Sequence, residues 1–310
     1  MKRLLIFSVV VIGIPFFVVQ FISVPKEDLL EIKLNYLSNI IVRVKRNKTG
    51  VIDNVSLEEY VVGVVAGEMP VSFEIEALKA QSVASRSYVL KRLGNTKNSE
   101  YDVVDTVSNQ VYLDDEMLKE KWKDKYILYI NKVREAVNAT SMEYLEYNGE
   151  VIDAMFFSTS NGYTEDSGII FQKSLPYLKS VESSWDERVA SAFNSSTSMS
   201  LQEFYERLNI KYSGTLKVEV LERSKSNRIL RLKINGIEIN GKDIYSKLGL
   251  RSYDFTLTQV GNNVDIKTKG YGHGVGMSQY GAHGMAKEGY NYKEILKHYY
   301  VDTDLVKFEK

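Results

Sequence analysis

Glu68 ends an apolar run, VVGVVAGE, at the point where Pro70 disfavours helical geometry at Met69. A carboxyl group there sits at the negative pole of the helix macrodipole. Burial at that end favours the protonated form, which can act as a general acid and, once ionised, as a base. Lys79 and Arg86 follow on the next helical stretch, seven residues or about two turns apart, so they project from nearly one face. The stretch AQSVAS between them is small and uncharged, leaving room for a ligand. The expectation is one acid in a cationic groove. The competing account is a solvated helix face with Glu68 merely paired to Lys79, and nearby cations would oppose burial in setting the acid's pKa.

Two further motifs carry polar chemistry. FFSTSNGYTEDSG, residues 156–168, sets Ser158, Thr159, Ser160, Asn161, Tyr163 and Thr164 directly after a strand-like run. Neutral hydrogen-bonding groups with one aromatic suit a polyhydroxylated ligand better than an ionic one, although an ordinary polar turn has the same composition. GYGHGVGMSQYGAHG, residues 270–284, packs six glycines and two of the chain's three histidines into fifteen residues. It lacks the Lys-Ser/Thr of a phosphate loop and the βαβ context of a dinucleotide site. His273 and His283, ten apart, do not have a familiar zinc spacing, and His298 reads as structural.

The elements that must hold these groups are legible from periodicity. IIVRVKR (40–46) alternates as a strand, and the turn at Asn47–Gly50 leads into VIDNV, a hairpin. Ser56 and Glu59 form a capping-box pattern for a helix from Leu57 to Glu68, and Ser72 can cap a second helix that Gly94 stops. A helix is expected over 118–140 and a hairpin at Asn148–Gly149; beyond Ser200, LQEFYERLNI reads as a helix and the following runs as strands. Helices and strands are segregated, an α+β signature.

Forty acidic and forty basic residues cancel, so there is no global electrostatic footprint for nucleic acid. The absence of cysteine excludes disulfides and thiol catalysis. Between Arg3 and Lys26 there is no charge, and Leu4–Val24 would span about 31 Å as a helix, with Lys2 and Arg3 on the inner side. The expected organisation is a transmembrane anchor over 1–25, a juxtamembrane connector over 26–37 and a mixed helix and antiparallel-sheet extracytoplasmic region over 38–305, with a boundary near 200. That places the chain in a cell membrane as a single-pass protein; a cleaved signal peptide is the competing reading, although its apolar core is usually shorter and residues 22–25 offer no convincing small-x-small site.

Taken in order, VVAGEMP, EALKAQSVASRSY, DTVSNQVY, FFSTSNGYTEDS and GHGVGMSQYGAHGMA resemble the stage II sporulation protein D family, whose relatives include amidase enhancers. The resemblance spans roughly residues 38–305. It implies a membrane-anchored lytic transglycosylase that cuts peptide-free peptidoglycan strands during forespore engulfment. The implied partners are a sporulation amidase/endopeptidase and a multipass membrane protein, and the implied location of this chain is the mother-cell membrane facing the septal wall; no cofactor is implied. Carried over onto this sequence, the catalytic acid falls on Glu68 and the helix cations on Lys79 and Arg86, while Ser160, Tyr163, His273, Ser278 and Gln279 become glycan contacts. Some members hold zinc with His and Cys near the DT..QVY motif; here Val107, Ser108 and Asn109 stand there and cysteine is absent, so no such metal is expected. A muramidase using Asp105 or Glu165 as second carboxylate, a non-catalytic glycan-binding activator of an amidase, and an inert scaffold are the alternatives.

Overall fold

Alternation in IVRVK buries Val42 and Val44, and β1 (Ile41–Lys45) pairs antiparallel with β2 (Ile52–Ser56) around the expected turn. The computed structural model describes residues 30–35, 39–171 and 173–308. Helix α1 (Leu57–Glu68) follows at once, with Tyr60, Val61, Val64 and Val65 fully buried. The capping box does not form: the Ser56 hydroxyl donates to the Glu59 carboxylate at 2.9 Å instead of accepting from the helix backbone. A turn closed by Phe73 N–H on the Pro70 carbonyl delays α2 (Ile75–Asn95), so Glu74 and not Ser72 is its N-cap, and it runs through Gly94. Gly63 and Gly67 lie on one side of α1, where an added Cβ would fall 2.5 Å from the carbonyl of Leu113 and of Val111 respectively. Each glycine weakens the helix by about 1 kcal/mol relative to alanine, and here that lets segment 110–113 lie directly on the helix backbone.

Strand β3 (Val103–Val104) pairs parallel with β1. The helix expected over 118–140 is broken: α3 (Asp115–Trp122) ends at Lys123, whose φ is 49°, and a short 3-10 turn leads into α4 (Tyr126–Ala139). Asn148 and Gly149, with φ 52° and 76°, make the tight turn between β4 (Glu143–Tyr147) and β5 (Glu150–Val151). After β6 (Phe156–Phe157) and the short helices α5 (Ser167–Phe171) and α6 (Trp185–Val189), the chain builds a second core. This contains β7 (Asn194–Ser200), α7 (Leu201–Leu208), β8 (Val218–Arg223), β9 (Ile229–Ile234), β10 (Ile237–Asn240), α8 (Gly241–Leu248), β11 (Asp254–Val260) and β12 (Asn263–Lys269). Its strands form the antiparallel sheets β10-β9-β8 and β11-β12-β7, closed over Leu201, Phe204, Leu232, Ile244, Phe255 and Ile266. The chain then returns to the first core through β13 (Met277–Ser278), α9 (Gln279–Lys287), α10 (Tyr292–Tyr299) and β14 (Asp304–Lys307), the last pairing with β4.

Two expectations are corrected. The sheet content is not purely antiparallel: β1–β3 and β6–β13 are parallel, because the glycine-rich segment comes back alongside Phe156–Phe157 in the same direction. The transmembrane anchor over 1–25 falls outside the described residues, and among the described residues no helix is long and apolar enough to cross a membrane. The longest of these, α2, carries Glu76, Lys79, Arg86, Lys91 and Arg92. The fold class is therefore mixed α/β with no spanning helix among the described residues, and the single-pass membrane location is withdrawn.

The β6–β13 pair depends on Gly276, at φ 80°, where a Cβ would lie 1.9 Å from the Met155 carbonyl. Gly276→Ala is expected to cost more than about 3 kcal/mol in denaturant unfolding, combining strain and overpacking. Gly149→Ala, in open space at φ 76°, should cost about 1–2 kcal/mol.

Candidate functional site

Glu68 closes α1 half-buried, and its Oε1 accepts a hydrogen bond from the Val111 N–H at 2.6 Å. The bond exists because Gly63 and Gly67 admit segment 110–113 so closely, and the same contact lets Leu113 N–H reach the Gly63 carbonyl at 3.3 Å. Burial raises the pKa of the Glu68 carboxyl, and the Val111 bond opposes the rise without cancelling it. No cation is within ion-pair distance of this carboxyl among the described residues. The Glu68 carboxyl is held by one backbone donor.

The expected cations are elsewhere. Lys79 is half-buried and binds Glu76 at 2.6 Å, and the other Glu76 oxygen accepts from Tyr292 N–H at 2.9 Å. Arg86 has no exposed surface: Nε and Nη2 meet the two oxygens of buried Glu58 at 2.8 and 2.7 Å, and Nη1 donates to the Glu143 carbonyl at 2.9 Å. It ties α1, α2 and β4 together and offers nothing to a ligand. Glu58, which the sequence reading passed over, is one of two acids opening α1; that it turns inward has no local signal.

The polar loop and the glycine-rich motif do meet. Thr159 and Tyr271 exchange backbone hydrogen bonds at 3.0 and 2.7 Å, and Glu165 N–H reaches the Gly274 carbonyl at 2.7 Å. Ser160 and Ser278 are buried and converge on Asp186, whose Oδ1 accepts from Ser160 N–H at 2.8 Å and from the Ser278 hydroxyl at 2.5 Å. Its Oδ2 accepts from Ser183, itself 2.7 Å from the Tyr299 hydroxyl. Burial raises the pKa of Asp186 against these donors. Gly281 is required here, since a Cβ would lie 2.1 Å from the Tyr299 hydroxyl and 2.7 Å from Asp186. Ser160 and Ser278 thus spend their hydrogen bonds inside the protein.

Gln279 is buried and donates to Gln81 on α2 at 3.3 Å. His273 accepts from Val275 N–H at 3.0 Å and lies between the rings of Phe157 and Phe171, at 5.7 and 5.4 Å. Burial, joined by the charge of Arg228, lowers its pKa to about 4 against a hydrogen bond with the Phe156 backbone, so it is neutral near pH 7. Tyr163 is half exposed, and its carbonyl accepts from Arg228 at 3.1 Å. Of the expected glycan contacts, Tyr163 presents the most accessible side chain.

Neither candidate second carboxylate is free. Asp105 lies 3.4 Å from Arg46 and accepts from Asn47 N–H at 2.8 Å, and buried Glu165 accepts from Ser226 and faces Arg228 at 3.9 Å. His283 accepts from Glu74 N–H and stacks on Phe73 at 4.3 Å, whereas His298 bonds the Glu182 carbonyl. Among the described residues no three His, Asp or Glu side chains are grouped as metal ligands.

The family model described as Stage II sporulation protein matches residues 45–147, the segment holding Glu68, α2 and the 109–113 stretch. Stage II sporulation protein D of Bacillus amyloliquefaciens is 41% identical over 273 residues, covering 86% of this chain and 79% of that protein. The chain belongs to the stage II sporulation protein D family. Stage II sporulation protein D of Bacillus subtilis (strain 168) is 39% identical with the same coverage, and the amidase enhancer of that strain is 30% identical over 79% of this chain and 40% of its own length. The role of this family member is in sporulation.

Arg86→Ala would strand Glu58 in the core and is expected to cost about 3–5 kcal/mol of stability by denaturant titration. Lys79→Ala, which removes a partly solvated pair, should change stability by about 1 kcal/mol or less.

Proposed function

We propose that the protein is a peptidoglycan lytic transglycosylase, cutting peptide-free glycan strands between N-acetylmuramic acid and N-acetylglucosamine during forespore engulfment. The observation that carries this reading is Glu68, a carboxyl raised by burial and without an ion-pair partner among the described residues, with Asp105 and Glu165 committed to arginines. Hydrolytic glycosidases generally need two flanking carboxylates, whereas a lytic enzyme can work with one. Glu68 protonates the glycosidic oxygen as the C1–O bond breaks. Its carboxylate then takes the proton of the muramoyl C6 hydroxyl as that oxygen bonds to C1, leaving a 1,6-anhydro end with no water consumed. The half-exposed Tyr163 supplies an aromatic edge for a sugar, and the neutral His273 suits an uncharged ligand. Ser160, Ser278 and Gln279 support the loops from within. The working partners are a sporulation amidase/endopeptidase and a multipass membrane protein, and the similarity to an amidase enhancer agrees with the first.

Digesting peptide-free strands with the purified protein and weighing the fragments is the direct test. Ends lacking the mass of water are expected, and ends that gained it would sink the lytic mechanism. Glu68→Gln should abolish cleavage, whereas stimulation of an amidase without any wild-type cleavage would favour a non-catalytic activator.

The raised pKa of Glu68 also has a stability consequence. In the window between its unfolded and folded pKa the native state binds more protons, so stability falls as pH rises through it. Glu68→Gln is therefore expected to melt higher than wild type near pH 7. The gain should vanish below about pH 4, under the ordinary glutamate pKa.

A further inference from the structure

The stretch that holds Glu68 also holds a hydroxyl that acid catalysis by that residue leaves unused. Tyr88 projects from α2 two residues beyond Arg86 and is half-buried. Asn109 Nδ2 donates to its oxygen at 3.1 Å, and Asn109 is oriented by its own Oδ1, which accepts from Val104 N–H at 2.9 Å. Two residues further, Val111 N–H holds Glu68. One short stretch, 109–111, therefore positions both the acid and the phenol.

Because the Tyr88 oxygen accepts from Asn109, its proton is left to point away from that amide, and among the described residues it meets no acceptor. A tyrosine needed for packing alone would serve as well as phenylalanine. Burial raises the pKa of this phenol most, and Asp153 and Glu68 add to the rise against the Asn109 bond and Arg92. It stays a neutral donor while Glu68 titrates. A carboxyl raised by burial and a neutral phenol, both held by one short stretch, match a polyhydroxylated ligand.

We propose that the Tyr88 hydroxyl is a second substrate-contacting group of this site, donating a hydrogen bond to an oxygen of the sugar held against Glu68. The proposal rests on the glycan reading of that site. Asn109 acts through Tyr88, polarising and aiming its O–H, and is a positioning residue.

The test is calorimetric titration of peptide-free glycan strands into full-length Glu68→Gln, which binds without turnover, and into the same protein carrying Tyr88→Phe. Removing the donor should weaken binding about 3–10-fold, with only a small drop in melting temperature as Asn109 loses its acceptor. Asn109→Asp keeps the bond from Val104 but replaces the donor with an acceptor that captures the Tyr88 proton, so it should reproduce the loss with the phenol still present. Equal affinity of Glu68→Gln and its Tyr88→Phe derivative overturns the proposal even when wild type yields anhydro ends. Weakened binding together with hydrolytic ends from wild type sustains the proposal and removes the lytic reading. Failure of every variant to bind glycan overturns both.

Discussion

The buried pair between Arg86 and Glu58 is the constraint on which the first core depends. A guanidinium without solvent is tolerable only when its donors are met, and here α1 supplies a bidentate carboxylate and the start of β4 supplies a carbonyl. The geometry leaves little freedom. Once Glu58 and Arg86 are joined, the rotation of α1 and α2 about their axes is set, and with it the direction in which Glu68 leaves the end of α1 and Tyr88 leaves α2. A pair of this kind adds little net stability over an apolar substitute, yet it penalises any other registry of the two helices. Specificity of arrangement is its contribution.

Around Glu68 the electrostatics are arranged by omission. Lys79 is drawn off to Glu76 and Arg86 to Glu58, while Arg46 and Arg228 hold Asp105 and Glu165. The carboxyl keeps one backbone donor and partial burial, and burial wins. A similar economy governs the loops: Asp186 collects the donors of Ser160, Ser183 and Ser278, so the polar residues that look most like ligand contacts are the ones that hold the two loops in register.

What could be read from the chain was what local chemistry decides. Pro70 ends α1 beside Glu68, and Asn148–Gly149 makes its turn, because each depends on neighbours in sequence. Arg86 misled because a cation on a helix looks the same whether it faces water or a carboxylate 28 positions earlier. The β7 strand, NSSTSMS, has almost no apolar pattern and exists through backbone pairing with β12. The break at Lys123 interrupts a run that is helical by every periodic signal. The meeting of Ser160 with Ser278 is a tertiary fact with no trace in either motif.

The parallel pair between Phe156–Phe157 and Met277–Ser278 joins segments about 120 residues apart, with the whole second core made in between. At the roughly 5–20 residues per second of protein synthesis, the earlier strand waits about 6–24 seconds for its mate. Glu68 and the helix that ends on it are thus synthesised long before the two loops can lock together. An unfinished chain carries Phe156–Phe157 without a partner strand, and any product ending before residue 277 keeps that state permanently.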